Sequence, residues 1–206
     1  MNLLLNILSF FLRKDKPTKP IGHVAICVGH SRIGDYGADT VDGISEWDFN
    51  VNVADVLKDA LESRNIKALV VNKYPRKTYG QAMEWLAAML QPYKFDCAIE
   101  LHFNSASPQA HGYEYLHLSG SGKGQRLANC LLEAHMSVIG NKQKSRGTTA
   151  IKAGDRGYGF LSKVAPPAVI CEPFFGSNRA DWKLFDHQWG MLADIYATGI
   201  ENFLKS

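Results

Sequence analysis

The sequence predicts an α/β fold, a single domain with a twisted, mostly parallel sheet and helices on both faces. Three observations point there. Short apolar runs at 24–28, 68–71, 95–101 and 168–171 read as buried strands, and segments with apolar residues at helical spacing separate most of them. Alternation of strand and helix is the pattern of a parallel sheet covered on both sides. The composition, 46% hydrophobic and 21% charged over 206 residues, suits one ordinary core. A domain of this size buries roughly 70% of the surface its unfolded chain exposes, so it needs neither a disulfide nor a structural metal.

The elements follow in order. Residues 1–12 are almost wholly apolar, and the charged, proline-bearing stretch 13–20 (RKDKPTKP) reads as a tether into a domain spanning 21–206. Charge lies after the apolar run rather than before it, so it does not read as a cleavable signal. At about half the roughly 20 residues a bilayer requires, it does not span one. Three readings stay open: a helix packed on the domain, a weak membrane-surface contact with a basic flank, or an export remnant.

The first strand, VAICV, stops at Gly29, and a Gly- and Asp-rich loop follows. Residues 47–63 place Phe49, Val53, Val56, Leu57 and Ala60 on one helical face. A second strand (68–71), a second helix (79–90) and a third strand (95–101) continue the alternation. The run GYEYLHL at 112–118 alternates cleanly, as a half-exposed strand near an edge would. A helix over 127–139 ends at Gly140-Asn141, a strand at 168–171 is entered through Pro166-Pro167, and a closing helix spans about 185–203 with Leu192, Ile195, Tyr196, Ile200 and Leu204 inward. No internal repeat or second domain is visible.

The net charge is +3, with basic residues scattered, which argues against a nucleic-acid binder. Cys27, Cys97, Cys130 and Cys171 form no C-x-x-C pair. Three of them sit in apolar runs and read as reduced, buried hydrophobes, with a Cys27–Cys171 bridge left open.

Ligands of open α/β sheets bind beyond the carboxyl ends of the strands. Strand one ends in Gly29-His30, strand three leads into His102 and Asn104, and the last strand delivers Glu172. Two histidines and an acid converging from distant segments suit a catalytic zinc with an open fourth position, and Glu46 is the carboxylate best placed to complete the set. Spacing alone leaves the alternative standing, since a strand-end histidine is at home as a satisfied structural residue.

Four motifs in order carry a resemblance. They are VAICVGHSRIGDYGA, GISEWDFNVNVADVL, DCAIELHFNSA and PPAVICEPFFGSNRADW. Together they resemble the zinc-dependent N-acetylmuramoyl-L-alanine amidases of the type 3 family, many of them phage and prophage endolysins. The resemblance covers about residues 22–204. It implies one zinc ion held by His30, Glu46 and His102, a catalytic Glu172, and hydrolysis of the bond between N-acetylmuramic acid and L-alanine in peptidoglycan. It implies action at the cell wall or periplasm by a chain made in the cytoplasm, expected to be a monomer.

The chain departs from the family around the first ligand, where Asp-Pro-Gly-His-Gly-Gly is usual and Cys-Val-Gly-His-Ser-Arg stands here. Glu100 also replaces a small polar residue. Two positions from His102, it faces the same side of the strand and would either orient that ligand or crowd it. Asn104 and Asn178 are candidates for substrate polar groups, and Tyr158, Phe174 and Phe175 for a groove wall or the core. Other readings of the same residues are a zinc peptidase or carboxypeptidase on stem peptides, a wall-binding module with a dead site, and a cysteine hydrolase using Cys27 or Cys171.

Overall fold

Strand β1 (Gly22–Val28) has a neighbour on each side and is buried along almost its whole length, which is why its sequence is continuously apolar rather than alternating. The computed structural model describes residues 19–206. The apolar segment 1–12 and residues 13–18 of the tether lie outside the described residues.

After β1 come α1 (Glu46–Ser63), β2 (Ile66–Val71), α2 (Tyr79–Leu90), β3 (Cys97–Leu101), β4 (Tyr113–Leu118) and α3 (Gly122–Ile139). A 3-10 turn (Gly140–Lys142), β5 (Ser145–Ile151), α4 (Tyr158–Lys163), β6 (Ala168–Glu172), α5 (Arg179–Phe185) and α6 (Trp189–Lys205) complete the chain. The strands form one six-stranded sheet in the order β2-β1-β3-β6-β4-β5. β2, β1, β3 and β6 are parallel. β4 runs antiparallel to β6 and carries β5 parallel to itself at the edge.

Alternate residues of each strand feed two cores. Val24, Ile26, Ile99 and Val169 pack with Phe49, Val53 and Leu57 of α1, Leu131 of α3 and Ile195 and Tyr196 of α6. Ala25, Cys27, Ala98 and Ile170 pack with Ala82, Met83 and Leu86 of α2 and Phe160 and Leu161 of α4. The mostly parallel sheet with helices on both faces is therefore present. Because α1 leaves β1 for one face and α2 leaves β2 for the other, β1 and β3 flank the point where the connections diverge. A crevice opens at such a point.

The elements the sequence concealed are short or exposed. β5 (SRGTTAI) has a single buried residue, Ile151, so its hydrophobic signature is absent. The six residues of α4 are too few to establish a period. The closing helix expected over 185–203 is divided: α5 ends at Phe185, His187 takes a left-handed backbone (φ 54°), and α6 starts at Trp189. β3 begins at Cys97, two residues later than expected, and α1 begins at Glu46. Val56 of α1 is 37% exposed, off the packed face, while Asn50 and Ala54 are on it. β4 alternates in burial as expected but is not the outermost strand, since β5 covers its edge.

Cys27 and Cys171 belong to opposite faces, one to each core, with β3 between their strands. All four cysteines are free thiols, and the bridge between those two is excluded by this placement.

One buried polar chain crosses the larger core. Tyr115 Oη is 2.9 Å from His135 Nδ1, His135 Nε2 is 3.2 Å from Gln143 Oε1, and Gln143 Nε2 donates to the carbonyl of Pro173 at 3.0 Å. The imidazole stacks on Tyr113 at 3.8 Å. Burial pushes the pKa of His135 down to about 4, with the Gln143 hydrogen bond opposing only partly. Its folded value thus lies below the unfolded 6.5, and the unfolded chain binds the extra proton in between. The stability this neutral ring supports is complete above pH 6.5 and falls as pH drops toward 4, by about 3 kcal/mol in all. Urea unfolding at pH 7 and 4.5 should show the wild type losing about 2 kcal/mol more than His135→Gln between the two; equal losses would refute this role.

Candidate active site

Four side chains arrive at the divergence point from separate segments. His30 follows β1 by two residues and holds a left-handed backbone, φ 55°. That conformation costs a non-glycine residue on the order of 1 kcal/mol or more and persists only where surroundings impose it. Its Nδ1 lies 3.0 Å from Asp35 Oδ1, and its Nε2 lies 3.4 Å from Glu46 Oε2. Asp35 in turn accepts from Arg32 Nε at 2.8 Å and from the Gly37 N–H. Burial would raise the Asp35 carboxyl, but the His30 hydrogen bond and charge, with Gly37 and Arg32, hold it below the ordinary range.

Gly29 has a packing reason of its own. A Cβ there would fall well under 3.0 Å from the His102 ring, so only glycine lets that imidazole rest against the end of β1.

Glu46 is the first residue of α1, beyond the Ser45 cap whose hydroxyl accepts from the Asp48 N–H. The helix N-terminus favours a carboxylate there. It is 3% exposed. It accepts from Ala38 N–H at 3.2 Å and Phe103 N–H at 3.0 Å and faces His102 Nδ1 at 2.9 Å. Burial works to raise its pKa. The His102 bond and charge, the His30 charge and the Phe103 N–H more than offset that and hold it below the usual carboxylate range.

His102 lies just past β3, between two acids, with Nε2 3.2 Å from Glu100 Oε2. Burial opposes its charge, yet the bonds to Glu100 and Glu46 raise its pKa well above 6.5. His30, Glu46 and His102 each offer a donor atom within 4.8 Å of the others, so together they could hold a metal ion. Each histidine has its second nitrogen against a carboxylate, Asp35 or Glu100, which fixes ring and tautomer as metal-binding imidazoles require. Glu100 thus lies within bonding distance of the outer nitrogen of His102.

Glu172, the last residue of β6, is 4% exposed, and its Oε2 is buried without a partner among the described residues. Burial pushes its pKa up to about 8. Glu46 and Glu114 add to the rise, while His102 and Arg156 pull against it. Glu114 sits directly across the antiparallel ladder from Glu172. It accepts from Asn104 Nδ2 (3.0 Å), Arg146 Nε (3.2 Å) and Thr149 Oγ1 (3.2 Å). Sequence reasoning missed Glu114 because its alternating strand made that face look solvent-directed; it is the face that looks into the cleft.

The cleft has a volume of about 530 Å³ and runs from the His30 and His102 rings over Ile170 and Leu116 to the loop before α4. His30, Glu100, His102, Asn104 and Glu172 line it. Asn178 lies elsewhere. Its Oδ1 caps α5 through Ala180 and Asp181 N–H groups, and its Nδ2 donates to Pro108 O at 2.7 Å. Phe174 and Phe175 are buried, and Phe174 stacks with Phe185 in the larger core. Tyr158 packs against the smaller core. Cys27 and Cys171 are fully buried, and burial raises both thiols well above their usual pKa, so neither is a ready nucleophile.

Residues 24–202 match the family model described as N-acetylmuramoyl-L-alanine amidase. The chain belongs to this amidase family. No curated protein matches its sequence. Among solved structures the amidase is similar to the AmiC2 N-acetylmuramoyl-L-alanine amidase of Nostoc punctiforme, at 21% identity and TM-score 0.75 over 91% of this chain and 99% of that one. It is also similar to the catalytic domain of the CD27L endolysin targeting Clostridia difficile, at 28% identity and TM-score 0.73 over 88% and 97%. The catalytic domain of the CwlV amidase of Bacillus (Paenibacillus) polymyxa var. colistinus matches at 21% identity and TM-score 0.73, over 89% and 98%.

If Glu100 and Asp35 hold the two rings of this amidase, Glu100→Ala and Asp35→Asn should each weaken binding of a divalent cation by about 10- to 100-fold with the fold intact. Titration against a competing chelator reads this, and unchanged affinity in both variants would show the carboxylates to be bystanders.

Proposed function

We propose that the chain hydrolyses the amide bond between N-acetylmuramic acid and L-alanine in peptidoglycan, with one zinc ion held by His30, Glu46 and His102 and with Glu172 moving the proton. The observation that carries this reading is the buried, unpartnered Oε2 of Glu172 on the wall of the cleft that the His30 and His102 rings also line. A buried carboxylate oxygen without a donor among the described residues is costly unless a reacting group takes the missing place.

The donor set fits zinc. Two imidazoles and one carboxylate are a common catalytic trio that leaves a fourth position open. Bonds of roughly 2.0–2.1 Å in a tetrahedron put donor atoms about 3.3 Å apart, close to the 3.4 Å and 2.9 Å separating Glu46 oxygens from His30 Nε2 and His102 Nδ1. When bound, zinc supplies the Lewis acidity that polarises the scissile carbonyl and brings a water's pKa down to about 7.

The chain's own groups do the rest. Glu172, with a pKa raised to about 8, is near neutrality and so suited both to take a proton from the attacking water and to give it to the departing amine nitrogen. Asn104, anchored through Nδ2 to Glu114, keeps its amide oxygen for a substrate N–H. The apolar floor of Leu116, Ile151 and Ile170 limits the water that competes for these contacts. The 28% identity to the catalytic domain of an endolysin supports an endolysin-like role at the wall. Among the described residues no helix is long and apolar enough to cross a membrane.

Glu172→Gln should keep its zinc while peptide release from purified peptidoglycan falls by 10² to 10⁴. Chelator should abolish wild-type release and added zinc restore it, whereas a thiol reagent should do nothing. Mass spectrometry must find stem peptides with a free L-alanine amino terminus, and any other cut would assign a different hydrolase.

A further inference from the structure

We propose that Arg156 reads the anionic end of the substrate next to the scissile bond, binding the free α-carboxylate of the residue that follows L-alanine in the stem peptide. The inference rests on the activity proposed above and concerns the same cleft.

A group that protonates a departing amine must be within hydrogen-bond reach of that nitrogen, so the peptide leaves on the Glu172 side. The lactyl ether and its sugar then lie past His30. A second, shallower cleft of about 440 Å³ begins there, lined by Ile33, Tyr36, Trp47 and Pro75. Ile33 and Tyr36 are 58% and 61% exposed, a surface on which a sugar ring can rest. The peptide half therefore occupies the larger cleft, which ends at the loop joining β5 to α4.

That loop is built to present Arg156. The Asp155 carboxylate accepts from Lys152 N–H at 2.8 Å, Asp155 N–H donates to Lys152 O, and Tyr158 N–H donates to Asp155 O. Gly154 and Gly157 take positive φ values of 98° and 82° on either side. A Cβ on Gly157 would run into the Ile170 side chain, so the glycine brings the loop down onto β6, two residues from Glu172. Arg156 stands between the two glycines, exposed and lining the cleft. Its charge reaches far enough to oppose the rise of the Glu172 carboxyl.

Charge decides what it is for. Among the described residues the one other arginine lining the cleft, Arg32, is committed to Asp35 and to the Lys77 carbonyl. Arg156 makes no ion pair or hydrogen bond among the described residues. Besides the two histidines of the metal set and Glu172, the ionisable side chains of the wall are the carboxylates of Asp35, Glu100, Glu114 and Asp155. Away from the proposed metal position, a peptide carboxylate entering the cleft meets its one arginine without an internal partner, among the described residues, at this guanidinium, whose planar fork matches two carboxylate oxygens.

The test compares a muramyl tripeptide whose second residue keeps its α-carboxylate with the same compound bearing an α-carboxamide, scored by release of free peptide. The wild type should favour the carboxylate by about 10- to 100-fold in kcat/KM, the range of a charge-assisted contact. Arg156→Gln should bring that preference within about two-fold, and Arg156→Glu should reverse it. The proposal is overturned if the wild type shows no preference, or if Arg156→Gln loses rate on both compounds while the preference stands, as an oxyanion or purely structural role would require. Release from neither compound by the wild type would overturn the proposed activity itself, and this subsite with it.

Discussion

The Glu46 carboxylate is where three segments of chain are tied together. Its two oxygens take N–H groups from the loop after β1 (Ala38) and from the end of β3 (Phe103), and they face both histidine rings. Each bond alone is worth about 1.5–3 kcal/mol, and all converge on one buried anion at the head of an 18-residue helix. A carboxylate at 3% exposure without them would be strongly disfavoured. Loop, helix and strand are thus held in mutual register by a group that also belongs to the site, and disturbing any one of them displaces the other two.

The sheet topology makes that convergence available. β1 and β3 are neighbours whose following connections depart in different directions, leaving a crevice at their carboxyl ends. Three parallel strands in a row, β1, β3 and β6, end on this rim and deliver His30, His102 and Glu172 within two residues of their last hydrogen-bonded positions. β4 then reverses direction, which places its beginning rather than its end at the rim and sets Glu114 beside Glu172.

Much of this was legible beforehand, and what was not has a physical reason. The central strands and α1, α2 and α3 declare themselves because a doubly buried strand or a packed helical face must be apolar at fixed intervals. The strand-end rule together with four motifs of a known family picks out His30, Glu46, His102 and Glu172 as candidates, and the structure brings the first three together with Glu172 on the same cleft. Glu114 and Arg156 escaped both. The first lies on a strand whose cleft-facing side chains alternate as if they met solvent, and the second sits in a short loop whose shape depends on glycine backbone angles and on contact with Ile170. Asn178 looked like Asn104 in sequence, an Asn a few residues beyond a strand. Only the three-dimensional path distinguishes an N-cap that spends its hydrogen bonds on α5 and Pro108 from a side chain open to the cleft. Equally invisible was the link from His135 through Gln143 to Pro173, whose partners are 8 and 30 residues apart.

Glu114 and Glu172 show how one ladder position can serve two purposes. Both are glutamates, cross-strand partners, with side chains on the same face. Glu114 receives three donors, from Asn104, Arg146 and Thr149, and so has few acceptor positions left for a ligand. Its work is to hold Asn104 and to place a fixed negative charge beside its neighbour. Glu172 has no such donors on Oε2 among the described residues and is buried, so desolvation, with Glu46 and Glu114 adding to it, carries its pKa up to about 8. Different hydrogen-bond surroundings thus give two like groups different work. The satisfied carboxylate builds the wall, and the unsatisfied one is left able to exchange a proton near neutral pH.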